Sequence, residues 1–203
     1  MNIKLAVKFM ALGACLALLD GCATEQALKP VQNPALAWQN YSHKLYLISN
    51  WQATGEIGIR DANQAISANF AWQQVGDQFV IRLSGPLNLG AQVLQGGPGK
   101  ISLDSGKGQV VEASSAEQLM QQQLGWSMPV EGLVNWIRAL PLQNVKYSKK
   151  IDETGAMTLL SQQNWAIHYQ SYSVVNGLPL PHKIIMTQGP WRIVIVVNHW
   201  QLS

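Results

Sequence analysis

The spacing of apolar residues along this chain changes from a helical period to a period of two and back again. Within residues 34–50, Leu36, Tyr41, Leu45 and Ile48 return to one face, which predicts an amphipathic helix. From residue 51 the period drops to two. Trp51, Ala53, Ile57 and Ile59 share one parity, Ile66, Ala68, Phe70 and Trp72 a second, and Phe79, Ile81 and Leu83 a third. The segments "RDANQ" and "QVGDQ" between them are rich in turn formers, so the three runs read as an antiparallel meander with one apolar face. Residues 91–94 and 101–103 continue the strands, divided by the turn "GGPGK".

Between residues 114 and 140 the helical period returns. Ser115 with Gln118, or Ser114 with Glu117, makes a capping box for a short helix ending near Gly125. Pro129 opens a second helix, in which Val130, Leu133, Val134 and Ile137 share a face before Pro141 stops it. Strand signals resume at 145–148, 157–160, 165–172, 183–187 and 191–202. The predicted fold class is α+β, mainly antiparallel β, with helices set across one sheet. No internal repeat or low-complexity block interrupts it.

The first residues follow none of these patterns. Lys4 and Lys8 precede an apolar run over 9–19 that is too short to span a bilayer, which predicts a secretory signal. It ends in "LLDGC", with a leucine three residues before Cys22 and a glycine just before it, and so resembles the lipobox of bacterial lipoproteins; Asp20 is atypical there. "LGAC" at Cys15 is a rival, but its apolar stretch is short and interrupted by Lys8, so Cys22 is assigned as the lipidated residue. The expected division is a signal peptide over 1–21, a lipidated tether over 22–33 and one domain over 34–203. Ala23, rather than an aspartate, follows Cys22, which by resemblance to Gram-negative sorting points to the outer membrane, with the domain facing the periplasm. With Cys15 removed and Cys22 acylated, no cysteine is left for a disulfide, so stability must come from packing.

Composition narrows the chemistry further. The chain of 203 residues is 47% hydrophobic and 12% charged, about half the usual charged fraction. Without its leader it carries twelve basic against ten acidic side chains, too weak and scattered a balance for nucleic-acid binding. His43, His168, His182 and His199 lack metal-ligand spacing, and no metal site is expected. There is no Gly-x-Ser-x-Gly elbow. "GGPGKI" lacks both the first glycine at phosphate-loop spacing and the hydroxyl residue after Lys100. Asp61, Asp77, Asp104 and Asp152 fall in predicted turns, where aspartate caps backbone, and none pairs for acid–base work. No catalytic residue emerges.

What remains is apolar surface. Eight tryptophans is a high number, and Trp51, Trp72, Trp165 and Trp191 fall on inward strand parities. They could fill a core, or line a cavity for lipid chains beneath the helices; periodicity does not separate the two. A second anomaly is "SGPLNLGAQVL", a Gly-Pro turn that carries Leu87 and Leu89 around a single Asn88.

These segments together resemble one family, LolB, the outer-membrane lipoprotein receptor of the lipoprotein-sorting pathway. The likeness runs through the lipobox at Cys22, "WQATGEIGIR" (51–60), "FAWQQVGDQFVIRLSGPL" (70–87), "LVNWIRALP" (133–141), "NWAIHY" (164–169) and the closing "NHWQLS". The resemblance implies an incomplete, half-open β-barrel covered by helices and enclosing a hydrophobic cavity. Its expected lining is Trp51, Phe70, Trp72, Phe79, Ile81, Trp136, Trp165 and Trp191. It implies a monomer that receives the acyl chains of client lipoproteins from the periplasmic carrier LolA and inserts them in the inner leaflet of the outer membrane. No cofactor is implied beyond the N-acyl and diacylglyceryl groups on Cys22. By motif, Leu87 is the protruding residue that meets the bilayer. Here Asn88 and Leu89 intervene before Gly90, where the family pattern runs Pro-Leu-Gly, so either leucine or both could form the tip.

Overall fold

The computed structural model describes residues 28–63, 65–85, 90–106, 108, 110–124 and 129–203. Cys22, Leu87 and Leu89 lie outside the described residues. The chain opens with α1 (Pro34–Leu47), whose start is set locally: Asn33 accepts from the amide of Leu36 at 3.0 Å, and Pro34 occupies the first turn, where its missing N–H costs nothing. Six strands follow: β1 (Asn50–Arg60), β2 (Ala65–Val75), β3 (Gln78–Ser84), β4 (Gln92–Gly97), β5 (Lys100–Asp104) and β6 (Val110–Ala113). Two helices come next, α2 (Ala116–Leu124) and α3 (Val130–Trp136). Five strands complete the chain: β7 (Tyr147–Ile151), β8 (Met157–Gln162), β9 (Trp165–Val175), β10 (Leu178–Gln188) and β11 (Trp191–Leu202).

All eleven strands belong to one antiparallel sheet, in the order β6-β5-β4-β3-β2-β1-β11-β10-β9-β8-β7. Each strand pairs with its sequence neighbour except at the centre, where β1 pairs with β11. The chain therefore runs outward to one edge, crosses over through α2 and α3, and returns from the other edge. The free edges β6 and β7 are the two strands that those helices connect. Lys149 and Lys150 on β7 put charge on that edge, which discourages pairing with another chain.

The sheet curls because its inner parities feed one core. Trp51, Ile57, Phe70, Ile81 and Leu103 from one wing join Leu160, Ile167, Ile184 and Ile195 from the other in a single buried cluster. Gly55 marks the closest approach within the sheet, beside the β1–β11 bulge at Thr54 and Gly55. A Cβ there would lie 1.9 Å from the carbonyl oxygen of Val196.

Most predicted elements stand, with informative differences. Strand β6 is only four residues long, too short for a period of two to register, and it is half covered by α2. Ser115 is the cap of α2, its hydroxyl 3.4 Å from the Gln118 amide. The α3 helix stops at Trp136, short of Pro141, because Ala139 adopts a left-handed φ of 56° and turns the chain back. Strand β10 begins at Leu178, five residues earlier than its periodicity suggested. Pro179 and Pro181 are tolerated because β11 pairs with β10 only from Lys183 onward. The Trp200 indole N–H donates to Pro181 O at 2.9 Å, a side-chain substitute for the absent ladder.

Candidate functional site

The concave face of the sheet is apolar from wing to wing, and α3 lies in it. Leu133, Trp136 and Ile137 on this helix, with Leu140 just beyond it, are each no more than 2% exposed. The helix fits closely because residue 132 is glycine. A Cβ there would sit 2.6 to 2.8 Å from the Trp136 ring, so the indole lies flat over the backbone one turn earlier. Between α3 and the sheet remains a void of about 10 Å³ walled by Phe70, Trp72, Ile81 and Leu83 below and by Leu133 and Ile137 above. That is room for a single water at most, and the walls offer it no partners. The expected cavity thus exists as an apolar surface whose space a helix occupies.

The two ends of α3 are held differently. At its C-terminal end a dense set of hydrogen bonds converges. Trp136 Nε1 donates to Gln162 Oε1 at 2.8 Å, and the same oxygen accepts from the Leu142 amide at 2.7 Å. Gln162 Nε2 donates to the carbonyls of Leu142 and Val145. Tyr169 donates to Trp136 O at 2.8 Å, and Tyr46 to Pro141 O at 2.6 Å. Arg138 reaches across to α1, giving Nη1 to Leu45 O at 3.0 Å and Ile48 O at 2.8 Å, while its Nε bonds Val134 O. At the N-terminal end Pro129 caps α3 without a side-chain hydrogen bond, and among the described residues Val130 and Leu133, apart from the helix's own backbone bonds, are buried in the apolar core.

Arg138 is 6% exposed and, among the described residues, has no carboxylate within ion-pair distance. Its charge rests instead on backbone carbonyls at the C-terminal ends of α1 and α3, where the helix dipoles are negative. Burial pushes its pKa down to about 10, with the Tyr46 hydroxyl acting in the opposite direction, so it stays a cation at neutral pH. Burial likewise lifts Tyr46 to about 12, reinforced by Tyr147 and opposed by Arg138. Tyr169 is raised well above its ordinary value by burial.

The sequence-predicted lining residues separate into groups. Phe70, Trp72 and Ile81 wall the void, and Phe79 stacks against Trp72 with centroids 6.4 Å apart. Trp51 sits at the start of β1, in contact with Trp72 at 5.3 Å and Trp200 at 5.6 Å. Trp136 belongs to the covering helix rather than to the sheet. Trp165 is buried and Trp191 partly buried; neither reaches the void. Sequence reasoning missed Arg138 and Gln162. The signal for Arg138 was present, a lone charge inside the apolar run "NWIRALP", whereas nothing local marks Gln162. Among the described residues no cluster of histidine, cysteine or carboxylate could hold a metal, and no helix is long and apolar enough to cross a membrane. His182 is engaged with backbone, its Nδ1 lying 2.7 Å from Val197 O.

Residues 49–200 match the family described as outer membrane lipoprotein LolB. An outer-membrane lipoprotein LolB of Francisella tularensis subsp. tularensis (strain WY96-3418) is 39% identical over 188 residues, covering 91% of this chain and 89% of its own length. Those of Chromohalobacter salexigens and Pseudomonas fluorescens are each 38% identical, covering 92% and 91% of this chain and 86% and 91% of theirs. Among solved structures, a LolA superfamily protein from Nitrosomonas europaea superposes with a TM-score of 0.54 at 9% identity, over 83% of this chain and 93% of that one. A putative outer membrane lipoprotein-sorting protein domain from Vibrio parahaemolyticus gives the same score and identity over 84% and 94%. At that identity the likeness concerns the fold.

Proposed function

Because this chain belongs to the LolB family, we propose that it is an outer-membrane lipoprotein, anchored through acyl groups on Cys22 and facing the periplasm. It accepts acylated lipoproteins from the carrier LolA and delivers them to the inner leaflet. It acts as a monomer and by affinity alone, without bond chemistry or a cofactor beyond its own lipid. The observation that carries the reading is a continuous apolar concavity filled by a helix that, among the described residues, is tied to the rest of the fold by hydrogen bonds at its C-terminal end.

The energetics set the route. A triacylated client carries on the order of forty or more methylenes, and at about 0.8 kcal/mol each, exposure to water would cost tens of kcal/mol. The chains must therefore pass from one apolar enclosure to another. An acyl chain that replaces Leu133 against Phe70, Trp72 and Ile81 exchanges one apolar contact for another, so filling the space costs little beyond moving the free end of the helix. A small difference between large burial terms keeps each step reversible until the bilayer takes the client. Leu87, with or without Leu89, touches that bilayer; burying one leucine contributes about 1.5–3 kcal/mol, enough for transient contact.

The tight packing of the interior also favours a second reading, a structural or assembly lipoprotein with a permanently filled core and a protein-binding face. Bis-ANS separates the two. Stoichiometric uptake of the dye, reversed by an acylated peptide, supports the carrier reading, and its absence supports the filled core. In a purified mixture an acylated client should move from LolA to this protein and on to liposomes. Retention of the client on LolA would overturn the assignment. Leu87→Glu should leave client uptake intact and slow liposome insertion, whereas normal insertion would remove Leu87 from the tip.

A further inference from the structure

One end of the half-barrel is chemically unlike the rest of the interior. There, a pocket of about 340 Å³ opens between the end of α1, the start of β1, the β2–β3 turn and α3, with Tyr46, Trp51, Gln74, Asn135 and Arg138 in its walls and Asp77 at its rim. Trp51 is 1% exposed, yet among the described residues its indole N–H has no hydrogen-bond partner. The contrast with its neighbours is specific. Trp72 donates to Gln74 Oε1, Trp136 to Gln162 Oε1 and Trp200 to Pro181 O. A buried donor left unmet is costly, and such groups are uncommon in folded proteins. Arg138 stands over the same ring, 5.5 Å from its centroid, with one Nη already committed to backbone carbonyls. The pocket is thus walled by a residue whose buried donor is unmet among the described residues and by a buried cation. It adjoins the apolar interior directly, because Trp51 is in contact with Trp72, which walls the void on the other side.

We propose that this pocket binds the carbonyl oxygens at the head of an acyl chain, the ester or amide groups of a client's acylated cysteine, through the Trp51 indole N–H beside Arg138. The chemistry suits a neutral acceptor better than a free carboxylate: the exposed Asp77 at the rim disfavours an added negative charge, while an ester or amide oxygen accepts from the indole and guanidinium without one. Val134 and Asn135 of α3 form one wall, so displacement of that helix gives access to the donor and to the apolar interior together. Bound in this way, the chains run along the sheet toward its opposite end, where β3 finishes at Ser84 and the segment carrying Leu87 begins.

The inference rests on the acyl-binding reading, and the test keeps the two apart. Displacement of bis-ANS from the purified protein is compared for 1-decanoylglycerol and 1-O-decylglycerol, which differ in the carbonyl. The wild-type protein should prefer the ester about three- to tenfold, the worth of one hydrogen bond. Trp51→Phe keeps an aromatic ring and removes the donor; it should bring the ratio close to one with little change for the ether. Equal affinity of the two lipids for wild type, or an unchanged ratio in Trp51→Phe, overturns the carbonyl site while leaving acyl binding intact. If neither lipid displaces the dye, acyl binding itself fails. Decanoate preferred over the ester would make this an anion site and overturn the proposal. A triacylated lipopeptide should lose affinity in Trp51→Phe. If lysophosphatidylethanolamine shows that loss and the lipopeptide does not, the site serves membrane lipid, and the assignment to the client is overturned.

Discussion

The two ends of α3 are close in sequence and equally buried, yet different forces hold them. At the C-terminal end, Trp136, Arg138, Pro141 and Leu142 are joined by hydrogen bonds to α1, β8 and β9. At the N-terminal end, Val130 and Leu133 are buried in the apolar cluster, and among the described residues no side chain hydrogen-bonds the start of the helix. Hydrogen bonds are directional, and a buried one that breaks leaves an unmet partner. Apolar contact is non-directional and transferable, so a lipid chain can replace it. Under the proposed carrier function a helix held in this way is hinged, its clamped end keeping register while its other end exchanges places with a ligand.

The largest test of that contrast is removal of the hinge. Arg138→Ala removes the guanidinium from the carbonyls of Leu45 and Ile48, leaving Ile48 O without that donor and Leu45 O with the Ile48 amide alone. It should cost about 3–4 kcal/mol and lower the melting temperature by roughly 6–15 °C in a chain of this size. A loss no greater than for an exposed arginine would show that the clamp contributes nothing. Gln162→Leu strips partners from the Trp136 indole and from the Leu142 and Val145 backbone, and should cost about 2–3 kcal/mol in urea unfolding.

At the free end, Leu133→Ala should cost about 2 kcal/mol, the low end for a buried leucine, because a loosely held helix relaxes into the space. It should also increase bis-ANS uptake, whereas Gln162→Leu lowers stability without that selective gain. If both variants raise dye binding in proportion to lost stability, the hinge picture fails. Gly132→Ala is a smaller perturbation. A methyl group under the Trp136 ring displaces it, offset by better helix propensity, for a net loss of about 1 kcal/mol that calorimetry can read.

The least effect at neutral pH, and a distinct one in alkali, comes from the tyrosines of the clamp. Burial raises Tyr46 to about 12 and holds Tyr169 well above 10, so the folded chain keeps protons that the unfolded chain releases. Their contribution is fully present below pH 10 and is lost as pH rises through their folded values. Arg138, which burial lowers to about 10, acts in the opposite sense above that value, where the unfolded chain holds the extra proton. With Tyr172 also raised by burial, the tyrosines outnumber it, and stability should fall above pH 10. Tyr169→Phe should flatten that fall, as followed by tryptophan fluorescence; an unchanged alkaline limb would exclude Tyr169 as a cause.

Much of the fold was legible because strand periodicity is a local record of which face is buried. The alternations beginning at Trp51, Ile66 and Phe79 name the inner faces of β1, β2 and β3 correctly. Proline hid the start of β10, since a residue that cannot donate to a ladder looks like a turn until the partner strand is known to stop short. The candidate site was less legible. Phe70, Trp72 and Ile81 could be named because they alternate inward, whereas Gln162 has no local mark and matters through Leu142 and Val145, about twenty residues away.

By itself, then, the sequence determined the strand and helix periods, the proline-led starts of α1 and α3, and the absence of familiar catalytic motifs. These are properties of a few consecutive residues. The tertiary structure alone decided that α3 occupies the concavity, that one of its ends is clamped and the other greasy, and that Trp51 is left with an unmet donor. Those features depend on contacts between residues far apart along the chain, such as Tyr46 and Pro141, 95 positions apart. A hydrophobic period says that a residue is covered, and only the folded chain supplies what covers it.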